Sequence, residues 1–223
     1  LSGAVIVPTS THVSRLVATR FQWDIMGTEN LIIARTDSCN GKLLSSSSDP
    51  RDHAFIEGII NKMTKPWSEI LLELESQAVV ASSSNIADAE NEWYGNNDLY
   101  TYDEAVQKQV SQEEYERYLQ YKDEKRRVLK RDYLSLREMR EISQNAAPNK
   151  SVYFDWDAPR TKEGFYMFKG CMEAAIQRSL AFSPYADLIW LETKTPDLNQ
   201  ASAFASKIHD IYPQVKLVYN LSP

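Results

Sequence analysis

The sequence predicts an α/β fold of parallel strands joined by crossover helices, with a long helical insertion. Three observations carry this prediction. Three short apolar runs lack polar alternation, which reads as strands buried on both faces. Each run ends in a polar cluster. Stretches of helical period lie between them.

The first run, Asn30-Leu31-Ile32-Ile33-Ala34, leads into Arg35-Thr36-Asp37. The second, Asp187-Leu188-Ile189-Trp190-Leu191, leads into Glu192-Thr193. The third, Lys216-Leu217-Val218-Tyr219, leads into Asn220-Leu221-Ser222-Pro223. Residues 11–26 place Val13, Leu16, Val17, Phe21 and Ile25 near a 3.6 period, with Ser10 or Thr11 as the cap and Gly27 as the stop. Residues 173–182 carry Ala174, Ala175, Ile176 and Leu180 and close at Ser183-Pro184. Residues 197–211 carry Leu198, Ala201, Phe204, Ala205, Ile208 and Ile211 between Pro196 and Pro213. The second and third runs are separated by about one right-handed β-α-β crossover. Polar strand ends of this kind mark the ligand face of a (β/α)8 barrel and equally of a doubly wound sheet.

Between these segments the composition shifts toward charge and tyrosine. The domains are therefore expected as a barrel segment over 1–58, a helical insertion over 59–158 and a second barrel segment over 159–223. Within the insertion, Ser111-Gln112-Glu113-Glu114 has the form of a capping box, and the helix it starts is expected to reach Asn145. Glu113 with Arg117 and Asp123 with Arg127 are favourable i,i+4 pairs. A second helix is expected near residues 66–77. The serine-rich residues 81–85 read as a flexible link. The insertion is expected to act as a helical lid or packing subdomain, since its heptads are too few for a coiled coil. The aromatic, charged stretch from Asp155 to Tyr166 reads as the turn that leads out of the insertion, rather than as a paired-aspartate metal site.

Bulk properties exclude several classes. The 223 residues carry 31 acidic and 25 basic side chains, for a formal net charge of −6. That balance disfavours nucleic acid and acidic lipid as main partners. Seven glycines, with no G-x-G-x-x-G and no P-loop, disfavour a phosphate cradle. His12, His53 and His209 share no zinc spacing. Cys39 and Cys171 sit far apart and read as two free thiols in a reducing compartment. No stretch reaches transmembrane length, and the first residues lack the pattern of a signal peptide. Without an initiator methionine, and with an apolar run at its end, the chain is expected to be cut from within a longer fold.

Arg35 is the most informative residue. A guanidinium at the mouth of a buried strand needs an anion, and its planar fork suits a carboxylate. The alternative is a salt bridge to Asp37 or Glu192. Glu192 could orient Arg35, take a substrate proton or hold a metal through water. Asn220 and Ser222 are short neutral donors suited to a carboxylate or an oxyanion. Together they describe a site for a small polyanion at the strand ends, with no reaction specified.

At Ala34-Arg35-Thr36-Asp37, Trp190-Leu191-Glu192-Thr193 and Tyr219-Asn220-Leu221-Ser222-Pro223 the sequence resembles the isocitrate lyase family. Arg51-Asp52-His53, Arg160-Thr161-Lys162-Glu163-Gly164-Phe165-Tyr166 and Thr195-Pro196-Asp197-Leu198 extend the resemblance in the same order. The length of the insertion resembles the eukaryotic, especially fungal and plant, branch. The resemblance implies an α/β barrel, usually within a homotetramer, and Mg²⁺-dependent cleavage of a C–C bond in a 2-hydroxy tricarboxylate. It implies substrate contact for Arg35, Asn220 and Ser222 and a supporting carboxylate for Glu192. Neither Cys39 nor Cys171 matches the family's catalytic cysteine. That residue and the Mg²⁺ ligands are expected outside these 223 residues. After Asp37, Ser38-Cys39-Asn40-Gly41-Lys42 departs from the usual isocitrate-cleaving pattern. With Phe21-Gln22-Trp23, it resembles the mitochondrial 2-methylisocitrate-cleaving members of yeasts. That implies the mitochondrial matrix, with isocitrate as the competing substrate and the glyoxysome, peroxisome or cytoplasm as the competing location. Expressed alone, these 223 residues are expected to release neither glyoxylate nor pyruvate from either tricarboxylate. Turnover in an oxo-acid release assay would overturn this.

Overall fold

The computed structural model describes residues 5–76 and 83–220, excluding the side chains of 83–85. In chain order its elements are β1 (Val5–Ile6), α1 (Thr9–Met26), β2 (Ile33–Thr36), β3 (Leu43–Leu44), a 3₁₀ turn (Pro50–Phe55), α2 (Trp67–Ser76), α3 (Ser83–Asn96), α4 (Tyr102–Gln109), α5 (Gln112–Leu129), α6 (Leu136–Ala146), β4 (Tyr166–Met167), α7 (Met172–Phe182), a 3₁₀ turn (Ser183–Tyr185), β5 (Leu188–Leu191), α8 (Leu198–His209) and β6 (Lys216–Tyr219). The architecture is mixed α/β. The chain forms two compact units, one made of Leu1–Asp52 with Gly170–Pro223 and the other of His53–Lys169.

In the first unit β2, β5 and β6 form a parallel sheet in that order. The register aligns Thr36 with Leu191 and Leu191 with Tyr219, so the carboxyl ends of the strands fall level. Parallel neighbours need crossovers, and α7 and α8 lead into β5 and β6. One face of the sheet is closed by helices. Ile32, Ala34, Ile189 and Leu191 pack with Leu16 of α1, Ala175 and Phe182 of α7, and Phe204 and Ile208 of α8. The first run was expected to be buried on both faces. The structure corrects this: burial alternates along β2, and Leu31 and Ile33 are 66% and 51% exposed. The helices of this unit cover the face of Ile32 and Ala34, and strand pleat puts the neighbouring residues on the other side. A shorter parallel pair, β1 with β3, aligns Val5 with Leu43.

Helix α1 ends as expected, with Gly27 in the left-handed conformation at φ 65°. Its start differs from the expectation. Pro8 is the N-cap and makes no side-chain cap bond, so neither Ser10 nor Thr11 caps the helix. The free N–H groups go to distant carboxylates instead. Asp52 accepts from the Thr9 N–H at 2.8 Å and the Thr9 hydroxyl at 2.6 Å, and Asp49 accepts from the Ser10 N–H at 2.6 Å. These are anions at a positive helix end. Asp52 also pairs with Arg178 of α7 at 2.7 Å, and Arg178 donates to the Val7 carbonyl at 2.7 Å. Both partners are nearly fully buried, the side chains being 5% and 0% exposed.

The second unit is mainly helical. Helices α4, α5 and α6 share a core of Tyr102, Tyr118, Met139, Ile142 and Phe154, and each opens with a capping box. The single helix expected from residue 111 to 145 is two. Lys130 adopts a left-handed conformation at φ 52° and ends α5, and Ser135 with Glu138 caps α6. That S-x-x-E pattern was present in the sequence and marks the second start. Asp103 accepts from the Tyr118 hydroxyl at 2.7 Å and pairs with buried Lys122. Helix α2 matches its expected span, packing Trp67 with Trp93 of α3. The expected link at 81–85 is corrected in part: α3 starts at Ser83, and residues 81 and 82 lie outside the described residues. Asp155 accepts from the N–H groups of Asp157 at 2.8 Å and Ala158 at 3.2 Å, which makes this stretch a turn.

Replacing Asp52 with Asn leaves the Arg178 guanidinium buried without its counter-charge. It is expected to lower stability by about 3–5 kcal/mol. Urea denaturation of the variant beside the parent measures the difference, and a loss below about 1 kcal/mol would contradict the role given to the pair.

Candidate functional site

The level carboxyl ends of β2, β5 and β6 bring three sequence-distant segments to one edge of the first unit. Arg35 stands on β2 opposite Trp190 of β5, and its guanidinium lies over the indole at 4.7 Å from the ring centroid. Its Nε and Nη2 donate to the two Asp37 oxygens at 3.1 and 2.8 Å, an arrangement that matches the planar fork. Glu192 approaches Nη2 at 3.5 Å. Hydrogen bonding to Asp37, helped by the nearby charges of Asp37 and Glu192, holds Arg35 firmly protonated. The Arg35 side chain is 47% exposed, so this cluster is solvated and its ion pairs add little to stability. Its value is orientation: stacking and a two-point bond hold the guanidinium plane in place.

Asn220 follows β6. Its side chain bonds the backbone of Thr193, accepting from the N–H at 3.3 Å and donating to the carbonyl at 2.9 Å. It therefore fixes the residue next to Glu192 and does not reach Arg35 by any hydrogen bond among the described residues. Ser222 lies outside the described residues. The structure thus brings Arg35 and Glu192 together and sets Asn220 one strand away, on the backbone beside Glu192.

A cleft of about 310 Å³ opens beside Arg35. It is lined by Val5, Ile6, Val7, His12, Arg15, Arg35, Thr36, Asp37, Ser38 and Arg178. Three guanidinium groups border it, and burial together with Arg178 and Arg15 pushes the His12 imidazole below its usual range, keeping it neutral near pH 7. Arg35 is paired with Asp37, which also lines the cleft, and Arg178 with Asp52, so the positive charge there is partly offset. Glu192 and Asn220 do not line it. Sequence reasoning gave no role to His12 or Arg178. Only packing sets them beside Arg35, since Arg178 belongs to a helix far along the chain. Asp37 was visible as a neighbour two residues away, and Trp190 as the aromatic before Glu192.

Among the described residues, no three His, Cys, Asp or Glu side chains are grouped to hold a metal ion. The carboxylate of Glu192 faces Arg35. The Mg²⁺ implied by the family resemblance therefore finds no fitting ligand set here, and no chemical step is assigned through it. No helix among the described residues is long and apolar enough to cross a membrane.

Comparison with known proteins places this rim in a family. The chain is 63% identical over 224 residues to a mitochondrial 2-methylisocitrate lyase of Saccharomyces cerevisiae, covering all of the chain and 39% of that protein. It is 42% identical over 228 residues to a mitochondrial 2-methylisocitrate lyase of Hypocrea atroviridis, again covering all of the chain and 39% of the relative. Against an isocitrate lyase of Pinus taeda the identity is 36% over 230 residues, with the same coverage. The chain thus spans about two fifths of the length of these relatives. The isocitrate lyase family model matches residues 1–223. With the Ala34–Asp37, Trp190–Thr193 and Tyr219–Asn220 segments joined at one sheet edge and the model matched from end to end, the chain belongs to the isocitrate lyase family.

Proposed function

We propose that this chain forms the carboxylate-holding part of a mitochondrial C–C lyase that cleaves 2-methylisocitrate to pyruvate and succinate. The observation that carries this reading is the fixed guanidinium of Arg35 beside a small cleft bordered by three arginines. The substrate choice is supported by the relatives: two proteins named as 2-methylisocitrate lyases are 63% and 42% identical, and the Pinus taeda isocitrate lyase is 36% identical. The mitochondrial location rests on the names of those two relatives.

In this reading the sheet of β2, β5 and β6 is a three-strand arc of a (β/α)8 barrel, whose ligands gather at the carboxyl ends of the strands. The exposed face of Leu31 and Ile33 is then the side turned toward the rest of the barrel. Arg35 meets one carboxylate of the tricarboxylate. Its Nε and Nη2 stay on Asp37, and the guanidinium keeps its plane through Trp190. Glu192 shares the Arg35 Nη2 with Asp37 and supports the site without entering the reaction as its base. Asn220 and Ser222 supply neutral donors that a carboxylate or a developing enolate can take up. Asn220 exchanges one of its bonds to Thr193 for the ligand. The general base, the metal ligands and the proton-donating cysteine belong to other parts of the protein, and the whole works as a homotetramer on a small tricarboxylate.

The test uses the full-length protein. With 2-methylisocitrate and isocitrate compared side by side, kcat/KM is expected to be higher for 2-methylisocitrate, and the reverse order would reject the substrate assignment. Arg35→Ala is expected to lower kcat/KM by at least about 100-fold, equivalent to about 2.7 kcal/mol of transition-state stabilisation, and to weaken succinate binding measured by calorimetry. Unchanged succinate affinity in Arg35→Ala, with an intact fold by circular dichroism, would remove Arg35 from the site.

A further inference from the structure

We propose that Cys39 and Cys171 are a dithiol pair that closes to a reversible intramolecular disulfide by exchange with a low-molecular-weight disulfide such as glutathione disulfide. They are the chain's two cysteines, and both are free, half-buried thiols. Cys39 lies in the loop after β2, two residues beyond Asp37. Cys171 is the N-cap of α7. The Cys171 N–H donates to the Ser38 carbonyl at 3.1 Å. Across the planar Ser38–Cys39 peptide the Ser38 oxygen lies about 2.8 Å from the Cys39 α-carbon, so with the 3.1 Å bond and one N–Cα length the two α-carbons are at most about 7.4 Å apart, and closer for any bent path. A modest bend brings them within the roughly 7 Å reach of a disulfide. Gly170 allows the approach. A Cβ there would stand 2.5 Å from the Gly41 carbonyl oxygen and 2.8 Å from its nitrogen, so backbone meets backbone at this point. Cys39 also packs against the same apolar cluster as Met172 and Ala175.

The surroundings assign an order to the exchange. Burial pushes the Cys39 thiol up to about 11, and neighbouring Cys171 and Glu173 push in the same direction. Burial raises Cys171 as well, with the Glu173 carboxylate adding to it, but the Ala174 and Glu173 N–H groups in the first turn of α7 oppose the rise, which stays smaller than that of Cys39. Cys171 is therefore the attacking group. It loses its proton to solvent, and its Sγ bonds to one sulfur of glutathione disulfide. The S–S bond of the reagent breaks and expels a glutathione thiolate, which takes up a proton. Cys39 then loses its proton and attacks the Cys171 Sγ in the mixed disulfide, expelling the second glutathione. Two protein thiols are oxidised to one disulfide, and one glutathione disulfide is reduced to two thiols. The raised thiols make the exchange slow at neutral pH, and its rate climbs about tenfold per pH unit through the mildly alkaline range as the thiolate fraction grows. The finished bond ties the loop that carries Asp37, the fork partner of Arg35, to the first turn of α7.

The test is disulfide mapping of the full-length protein after incubation with glutathione disulfide at mildly alkaline pH, alkylation of remaining thiols, and digestion without reductant. Mass spectrometry is expected to find a peptide pair joining Cys39 to Cys171, lighter by two hydrogens than the reduced pair and lost after dithiothreitol. In Cys39→Ser the glutathione adduct is expected to persist on Cys171, since no second thiol resolves it. In Cys171→Ser, Cys39 is expected to stay free for far longer than Cys171 does in Cys39→Ser. Alkylated free thiols at both positions, or glutathione adducts at both without the joined pair, would overturn the proposal, with unchanged circular dichroism showing that the protein stayed folded.

Discussion

The buried ion pair between Asp52 and Arg178 is the contact on which the first unit depends. Two charges removed from water are costly unless every polar atom finds a partner. Asp52 meets most of that demand, accepting from the N–H and hydroxyl of Thr9 and from Arg178. Arg178 in turn bonds the Val7 carbonyl and the Thr9 hydroxyl. One pair therefore joins the end of β1, the start of α1 and the middle of α7. Helices α1 and α7 supply much of the apolar cover of β2 and β5. The same pair thus fixes the strands that carry Arg35 and Glu192, and Arg178 itself borders the cleft beside Arg35.

Parallel pairing does the rest of the assembly. Strands in register end at one level, so polar residues that follow each run converge without any local signal asking them to. What forms there is an orientation device more than a source of stability. Arg35 is half-exposed, and exposed ion pairs contribute little energy. A stacked, two-point-bonded guanidinium nonetheless keeps a fixed plane, which in the proposed function would lower the ordering cost of binding.

Periodicity made most elements legible. The span of β6 was read residue for residue, and α7, α8 and α2 were read to within a few residues at their ends. The misreadings have separate physical causes. The start of α1 was assigned to a local serine or threonine cap, whereas distant aspartates satisfy its N–H groups. The insertion helix was read as continuous because its apolar stripe runs on, although Lys130 leaves the helical region and Ser135 starts a new capping box. The first run was read as doubly buried because Leu31 to Ala34 are all apolar, yet the described fold covers only the face of Ile32 and Ala34.

Chemical type and strand-end position marked Arg35, Glu192 and Asn220 as candidates, because a charged or amide side chain just past an apolar run stands out in a one-dimensional pattern. Their partners do not stand out in this way. Arg178 lies 126 residues from Asp52, and Asn220 lies 27 residues from Thr193, with nothing in either local sequence to announce the bond. Cys39 and Cys171 read as unrelated thiols by spacing alone, yet the folded backbone sets them side by side. Local pattern is governed by solvent and backbone period, which any segment experiences by itself. Charge pairing, clefts and thiol proximity depend on distances across the fold, and those exist only after α1, α7 and the three strands have packed.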